Sequence, residues 1–299
     1  MSSEKSVSKL PITAIILTYN EEKNIRDCIE SVYHWLDEIY VVDSFSTDRT
    51  LEIISEYPDV KMVQHDFENY STQRNWAFQN LDIANDFIFN LDADHRAMPE
   101  LADELRNHFS IGIPQNINGF MASRRTMFLG RWIKKGGHYP VYHAIIFRKG
   151  HGECEQKNYD QHFIIHGESI VLKSNVIDII TESLSTFTER HNKWATLEAS
   201  EAIAYSKEME AGRVKADKEG NPMEYRRYQR MKYYSYPIFL RVFLYFGYRF
   251  VLKGGFLEGK QGLVFHFLQG FWFRFLVDAK IWEMKYNQEL NESKTGVKR

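Results

Sequence analysis

The sequence has 299 residues, which is enough to bury a sizeable core and favours one domain with an appendage. A formal charge of −2 favours neither a general nucleic-acid binder nor an acidic solubility tail. Two cysteines, Cys28 and Cys154, match no zinc or redox spacing, so we expect reduced thiols in a cytoplasmic protein. The first ten residues lack the apolar stretch of a secretory signal, and we expect them to form a flexible tail.

Apolar runs alternate with helical patterns through the first 91 residues. Strands are predicted at residues 11–18, 38–42, 60–65 and 86–91, with helices at 24–36, 51–57 and 71–81 between them. This alternation predicts right-handed crossovers and a mostly parallel, doubly wound sheet. Three of the strands end in acids or amides, namely Asn20 with Glu21, Asp43, and Asp92 with Asp94. Because the carboxyl ends of parallel strands meet at one edge, we expect these side chains to converge there.

The fourth strand carries the most informative stretch, which reads DFIFNLDADHR. Its apolar run ends in two carboxylates one residue apart, Asp92 and Asp94. A solvated turn can also carry Asp-x-Asp, so the spacing alone is not specific, but the end of a buried strand is where such sheets bind ligands. Hard oxygen ligands at that place suit Mg²⁺ or Mn²⁺ bridging to a diphosphate.

The middle of the chain is predicted to be mixed. A helix is expected at residues 98–109, strands at 118–128 and 144–149, and a long helix from residue 176 to about 209. The loop at residues 130–143 is rich in Gly, His and Arg, and we interpret it as a candidate pocket for an acceptor substrate. Five histidines lie between His138 and His166, but their spacings match no zinc site, so we interpret them as loop and acceptor-pocket residues.

The last quarter of the chain is rich in aromatic residues. Its apolar segments, residues 237–252 and 263–277, are too short and too charged to span a bilayer. If each segment is a helix, its polar residues lie on one face and its apolar residues on a wide opposite face. This distribution is typical of amphipathic helices in a membrane interface. Between residues 226 and 260 eight basic residues stand against one acid, a local charge of +7. The alternative is a helical hairpin that packs on the domain formed by the preceding part of the chain or on a second subunit.

Three motifs in this order, LTYNEEKNI, VVDSFSTDRT and LDADH, resemble those of the family 2 inverting glycosyltransferases with the GT-A fold. The likeness covers residues 11–283 and is greatest to the bacterial branch that builds lipopolysaccharide cores and exopolysaccharides. It implies a Rossmann-like α/β catalytic domain with a C-terminal helical, membrane-interfacial appendage. The expected limits are a tail at 1–10, the GT-A domain at 11–210, a linker at 211–224, the membrane-associated region at 225–285 and a tail at 286–299.

The resemblance also assigns roles to residues. A nucleotide pocket is expected to be lined by Thr18, Tyr19, Glu21 and Asp43. Asp92 is expected beside the ribose and the cation, and Asp94 as the ligand of Mg²⁺ or Mn²⁺ on the diphosphate. Arg74, in QRNW, is expected to add a positive charge near the pyrophosphate; the alternative is an exposed helix arginine.

Inversion requires a base that deprotonates the acceptor hydroxyl. Asp160, in KNYDQHFII, is the candidate, because the family's base region follows the FRKG strand; His162 and Glu168 are rivals. The segment RHNKW, residues 190–194, is only loosely similar to the Gln-x-x-Arg-Trp signature of processive members, and a surface helix face with a packed Trp194 explains it equally well.

These observations predict a metal-dependent hexosyltransferase at the cytoplasmic face of the inner membrane, attached peripherally or in the interface. Its expected partners are a nucleotide sugar, with UDP as the expected nucleotide, an envelope glycan or lipid-linked acceptor, and the membrane surface, but no nucleic acid. Two alternatives stay open, a polyprenyl-phosphate glycosyltransferase and a catalytically inactive membrane-associated scaffold.

Overall fold

The computed structural model describes residues 8–157, 159–181, 183–204 and 212–295, and for residues 294 and 295 only the backbone. The described chain forms two compact units. The first comprises the residues up to 126, 140–157 and 161–179. The second comprises 127–139, 159–160 and the residues from 180 onward.

Four parallel strands form one half of the main sheet, in the spatial order β3-β2-β1-β4. They are β1 (Leu10–Thr18), β2 (Leu36–Asp43), β3 (Val60–Gln64) and β4 (Phe87–Asp92). The helices between them are α1 (Ile25–Tyr33), α2 (Thr50–Ile54) and α3 (Tyr70–Asn80). The predicted alternation of strands and helices is therefore confirmed here, and β1 and β4 lie side by side at the centre.

The other half of the sheet is antiparallel, so the fold is a mixed α/β fold rather than a mostly parallel one. After β5 (His95–Ala97) and α4 (Pro99–Ile111) come β6 (Ile117–Phe128), β7 (Arg131–Trp132), β8 (Tyr142–Arg148) and β11 (Glu168–Thr181). Strand β8 pairs antiparallel with β4 and with β6, and β11 with β5. Two further strands, β9 (Gly152–Cys154) and β10 (Phe163–Ile165), form a separate hairpin.

The core of the first unit follows from the strand and helix patterns. Strand β1 presents β-branched side chains to both faces of the sheet, and Ile12, Ile15 and Ile16 are fully buried. In α1 the buried residues recur at helical spacing, as Ile25, Cys28, Ile29 and Val32. Cys28 is thus a core residue, as predicted, and burial raises the pKa of its thiol.

Most of the second unit is helical, and α5 (Leu184–Ala204) follows β11 in the chain. The prediction of a helix from residue 176 was wrong, because residues 176–181 belong to β11, in which residues 176–178 pair with β5. The predicted end of that helix, near residue 209, lies outside the described residues. Helix α6 (Pro222–Tyr234) starts at a capping box in which Asn221 and Glu224 satisfy each other's backbone N–H groups.

The aromatic segment forms the rest of the second unit. It contains α7 (Leu240–Gly247), π-type turns at Tyr248–Leu252, a 3₁₀ turn at Gly255–Glu258, α8 (Gly259–Phe265), π-type turns at His266–Trp272 and α9 (Phe273–Thr295). Helix α9 packs on α5 through Ala195, Ala199, Phe273, Val277 and Ile281. Within the described residues, no helix combines the length and apolar character needed to cross a membrane.

The polar and apolar faces of this segment are arranged opposite to those of an ordinary soluble helix bundle. The side chains of Arg241, Arg249, His266 and Asp278, all on the predicted polar faces, are at most 7% exposed. Large apolar side chains point outward instead, among them Leu240, Phe243, Leu244, Val251, Leu252, Phe256, Leu257, Leu263 and Phe267. We call these nine residues the apolar ridge.

Candidate active site

The two carboxylates singled out in the sequence lie together where β4 ends. Asp92 is the last residue of β4, and Asp94 follows in the turn before β5. The turn is fixed by two backbone bonds, from Ala93 to Leu17 and from Ile179 to Asp94, at 3.1 Å each. Ligand atoms of Asp92, Asp94 and His95 lie within 4.8 Å of one another.

Asp92 is held in one orientation by the side chains of α3. Its Oδ1 accepts hydrogen bonds from Arg74 Nη2 at 2.6 Å and from the hydroxyl of Tyr70 at 2.9 Å. Burial acts to raise the pKa of Asp92, but the charges of Arg74, His95 and Arg124 outweigh it and lower the pKa to about 2. Asp92 is therefore ionised at neutral pH.

The ring of His95 contacts the two carboxylates, and its orientation decides which ring nitrogen carries the proton. Its Nδ1 accepts the backbone N–H of Asp92 at 3.1 Å, and this bond assigns the proton of the neutral ring to Nε2. Nε2 lies 3.7 Å from Asp92 Oδ2 and 3.9 Å from Asp94 Oδ1. Burial, with the charge of Arg124, lowers the pKa of His95 to about 4 and keeps the ring neutral. Because a protonated nitrogen cannot ligate a metal, the two carboxylates are the metal ligands that this group offers.

Arg74 is fully buried, so the alternative that it is an exposed helix arginine is wrong. Its guanidinium donates to the carbonyl oxygen of Ile15 at 2.9 Å, to that of Leu91 and to Asp92. Arg74 thereby ties α3 to the central strands β1 and β4 directly behind the carboxylate pair. Its expected contact with a pyrophosphate stays a prediction.

The loops after β1 and β2 are joined by their own polar groups. Asn20 Oδ1 accepts the N–H of Thr47 at 2.8 Å, and the hydroxyl of Ser46 accepts the N–H of Asn20 at 2.9 Å. The φ angle of Asn20 is +54°, a conformation that asparagine tolerates better than most residues. These bonds bring the ends of β1 and β2 together, as the sequence predicted.

The residues expected to line the nucleotide pocket lie at these strand ends. Tyr19 is 58% exposed, whereas the hydroxyl of Thr18 is buried and has no hydrogen-bond partner among the described residues. The backbone N–H of Glu21 donates to the Thr50 hydroxyl at 2.8 Å, and its carboxylate accepts from Asn24 at 2.7 Å. Their contacts with a nucleotide stay predictions.

Asp43, the last residue of β2, is fully buried. Its Oδ2 accepts hydrogen bonds from the N–H of Ser46 and from the side chain of Gln64, both at 3.0 Å, and its Oδ1 accepts the Ser46 hydroxyl. Asp43 thus shapes the loop after β2 through Ser46. Its expected contact with a base or ribose stays a prediction.

The three candidates for the base occupy different surroundings. Asp160, at a φ of +55°, belongs to the second unit and forms an ion pair with Arg230 of α6. In the first unit, His162 Nδ1 lies 3.2 Å from the buried carboxylate of Glu155, and the exposed Glu168 accepts from Asn116 at 3.0 Å. The choice of base stays a prediction.

The segment at residues 190–194 lies on α5. Arg190 lies over the ring of Trp194 at 4.8 Å and donates to the carbonyl of Ile180, while Lys193 forms an exposed ion pair with Glu189 at 3.0 Å. These contacts agree with a packed helix face, and a role as a processivity motif stays a prediction.

Comparison with known sequences identifies the family. The sequence model of Glycosyl transferase family 2 matches residues 13–176, more than half of the chain. The chain belongs to glycosyl transferase family 2. The matched residues include both carboxylates and Arg74, whereas helices α5 to α9 lie beyond them.

Two relatives of this family 2 chain match it over very different lengths. The chain is 29% identical to the lipopolysaccharide core biosynthesis glycosyltransferase LpsC of Rhizobium meliloti (strain 1021), over 88% of this chain and 91% of LpsC. It is 39% identical to an uncharacterized glycosyltransferase of Rickettsia bellii (strain RML369-C), over 37% of this chain and 36% of that protein. The chain therefore spans nearly all of LpsC but about a third of the rickettsial relative.

Solved structures are similar to this family 2 chain over different shares of its length. The crystal structure of S. aureus TarS 1-349 is similar over 94% of this chain and 92% of that chain, with 15% identity and a TM-score of 0.40. Glucosyl-3-phosphoglycerate synthase from Mycobacterium tuberculosis, in complex with Mn²⁺, UDP and glucosyl-3-phosphoglycerate, is similar over 38% of this chain and 43% of that chain, with 18% identity and a TM-score of 0.31.

The contacts by which Tyr70 and His95 orient Asp92 were not predicted from the sequence. Tyr70 begins α3 one turn before Arg74, so the helical spacing of four residues was the available signal for a shared partner. His95 was visible in the LDADH motif, but its tautomer follows only from the folded turn.

Proposed function

We propose that the protein transfers a hexose, with inversion, from a nucleotide sugar to an envelope glycan or lipid-linked acceptor. The observation that carries this proposal is the oriented carboxylate pair at the end of β4 in a family 2 chain. UDP is the proposed nucleotide. The likeness to LpsC supports a lipopolysaccharide core as the acceptor.

The carboxylate pair fits a divalent cation. It offers hard oxygen ligands, which Mg²⁺ and Mn²⁺ prefer, and one of them is held ionised by a buried arginine. When bound by Asp94 and Asp92, such an ion would stabilise the negative charge that grows on the leaving diphosphate. Tyr70, Arg74 and His95 orient Asp92, so this ligand needs no rearrangement on binding.

We propose Asp160 as the base. Its ion pair with Arg230 favours the ionised carboxylate, which is the form that can accept the proton of the acceptor hydroxyl. The deprotonated hydroxyl then attacks the anomeric carbon as the bond to the nucleoside diphosphate breaks.

We propose that the enzyme works at the cytoplasmic face of the inner membrane. The apolar ridge supports this location, because large apolar side chains exposed in such number within one segment are typical of a membrane or protein contact. The basic residues of this stretch that stay exposed, Arg226, Lys232, Lys253 and Lys260, favour an anionic membrane over a neutral protein surface.

The central test is Asp94→Asn, which removes one ligand charge with little change in shape. We expect sugar transfer to fall at least about a hundredfold, because a lost metal ligand costs several kcal/mol in the barrier. Calorimetry with UDP-, GDP- and dTDP-sugars, with and without Mn²⁺, should show metal-dependent binding of one donor to the wild type only.

The matched control is Asp86→Asn, at the opposite end of the same strand, where the side chain is 85% exposed. It should leave both transfer and metal-dependent binding unchanged. Near-normal, metal-dependent turnover by Asp94→Asn would contradict the assignment of the site, and no metal-dependent binding by the wild type would favour the inactive scaffold.

A further inference from the structure

The second unit contains a group of buried and half-buried arginines that the proposed transfer chemistry does not use. Glu198 Oε1 accepts hydrogen bonds from Arg230 and Arg274, each at 2.8 Å, and from the hydroxyl of Tyr234. Glu198 is 1% exposed, so a single buried carboxylate serves two guanidinium groups.

Tyr245 connects this group to Arg249. Its ring centroid lies 5.2 Å from the guanidinium of Arg249 and 6.0 Å from that of Arg274. Arg249 Nη1 donates to the Tyr245 hydroxyl at 2.6 Å, so the proton of that hydroxyl is left to donate elsewhere. The ring of Tyr233 lies 5.4 Å from that of Tyr245.

Several donors in this place lack a partner. Arg249 is 7% exposed, and its Nη2 is buried without a hydrogen-bond partner among the described residues; the same is true of the Tyr233 hydroxyl. Arg226 is exposed on α6 and makes no hydrogen bond or ion pair with the described part of the chain. Leaving buried charged donors unsatisfied is costly, so an anion in contact with them would stabilise the unit.

The charges here do not balance. Five arginines (226, 230, 241, 249 and 274) stand with three carboxylates, Asp160, Glu198 and Asp278, which leaves a formal charge of +2. Arg226 lies close enough to Arg249 and Arg230 for their like charges to act on it. Burial lowers the pKa of His138, helped by Arg249, His266, Arg226 and Arg274. Among the described residues the arginines of this group therefore outnumber the carboxylates, which creates a positive potential there.

We propose that this arginine cluster, defined as Arg226, Arg249 and Arg274 with the hydroxyls of Tyr233 and Tyr245, binds a phosphate group carried by the acceptor. Guanidinium groups match the oxygens of phosphate in geometry and charge, and tyrosine hydroxyls supply further donors. The acceptor class is a phosphorylated amphiphile, because the two elements that carry Tyr245 and Arg249, α7 and the turns at Tyr248–Leu252, also carry five residues of the apolar ridge. This step rests on the proposed function, since it names the acceptor of that reaction.

The test uses inorganic pyrophosphate as the probe and the full chain as the protein. In buffer freed of divalent cations, the carboxylate pair of the first unit repels pyrophosphate, so binding reports the arginine cluster. Arg226→Gln removes a charge from a side chain with no hydrogen bond to lose, and should weaken pyrophosphate binding about tenfold in calorimetry. Lys232→Gln is the matched control, an exposed charge on the same helix, and should bind as the wild type does.

Binding to lipid vesicles distinguishes a lipid headgroup from a glycan as the source of the phosphate. Vesicles with phosphatidic acid, which carries a phosphomonoester, are compared with vesicles of equal surface charge that contain phosphatidylglycerol, which carries a phosphodiester. If Arg226→Gln selectively weakens binding to phosphatidic acid vesicles, the phosphate belongs to a lipid headgroup. If it weakens pyrophosphate binding alone, the phosphate belongs to the glycan.

Equal losses in Arg226→Gln and Lys232→Gln would overturn the proposal, because they would indicate general surface charge. Absence of pyrophosphate binding by the wild type would overturn it as well. The proposed function is tested separately by metal-dependent binding of a nucleotide sugar, so either can fail while the other stands.

Discussion

At the scale of single residues, the candidate site is built by orientation rather than by the two acids alone. Arg74 and Tyr70 both bond Asp92 from α3, and His95 fixes its backbone N–H from the other side. A carboxylate that is already ionised and held in place loses little freedom when a ligand binds. The three orienting residues should therefore affect turnover although none of them is a metal ligand.

Tyr70→Phe tests this orientation. Removing the hydroxyl deletes one bond to Asp92 and should lower the transfer rate about tenfold, since a hydrogen bond to a charged group contributes about 1.5–3 kcal/mol. The measurement is kcat at saturating donor, with thermal unfolding as a check on the fold. Tyr33→Phe is the control, because that hydroxyl bonds the surface residue Asp59 at 3.1 Å. Equal rates for Tyr70→Phe and the wild type would show that Asp92 needs no such support.

Asp160→Asn tests the base. The amide cannot take a proton, so transfer should fall by about 10²–10⁴-fold while nucleotide-sugar binding is retained. Glu168→Gln and His162→Gln serve as comparisons, and each should leave the rate within severalfold of the wild type. A large loss in one of these two with little change in Asp160→Asn would move the role of base to that residue.

At the scale of elements, the second unit is organised around buried ion pairs. Asp278 of α9 accepts Arg241 Nε of α7 at 2.9 Å and the N–H of Phe239 at 2.7 Å. Phe239 has a φ of +64°, a left-handed conformation that a phenylalanine rarely adopts. The carboxylate of Asp278 thus binds two groups, the backbone N–H at the strained start of α7 and the buried guanidinium of Arg241.

Asp278→Asn should destabilise the contact between α7 and α9 by about 3–5 kcal/mol, because it leaves the Arg241 cation buried and unpaired. Hydrogen exchange should show lost protection in both helices. The double change Arg241→Met with Asp278→Leu should restore most of that protection. Glu189→Gln is the control, since its ion pair with Lys193 is exposed. Unchanged exchange in Asp278→Asn would mean that packing alone holds α7.

At the scale of the whole molecule, the apolar ridge predicts binding to membranes. Leu252→Glu places a charge on a side chain that is 77% exposed and should weaken co-sedimentation with anionic vesicles about tenfold. Ile111→Glu is matched in exposure and charge but lies on α4 in the first unit, and should bind as the wild type does. Equal binding by all three proteins would favour a protein partner for the ridge. Point variants suit this test better than deletion from residue 225, which would also uncover the core face of α5.

Those parts of the fold and of the candidate site that depend on local sequence patterns could be predicted from the sequence. The alternation of apolar runs predicted the parallel half of the sheet, and Asp92 and Asp94 lie where β4 ends, as predicted. The antiparallel half could not be predicted, because pairing of β8 with β4 depends on residues far apart in the chain. The segment at 176–181 was taken for helix because a short apolar run does not by itself distinguish a buried strand from a helix, and the pairing of residues 176–178 with β5 decided the outcome.

The packing of α9 on α5 has a consequence for synthesis in the cell. The residues of α5 leave the ribosome well before α9 is made, so Ala195 and Ala199 have no covering helix during that interval. The parallel strands β1 to β4 come from the first 92 residues and can pair much earlier. A chain stalled between residues 204 and 273 would therefore display an uncovered apolar face and become a target for chaperones and proteases.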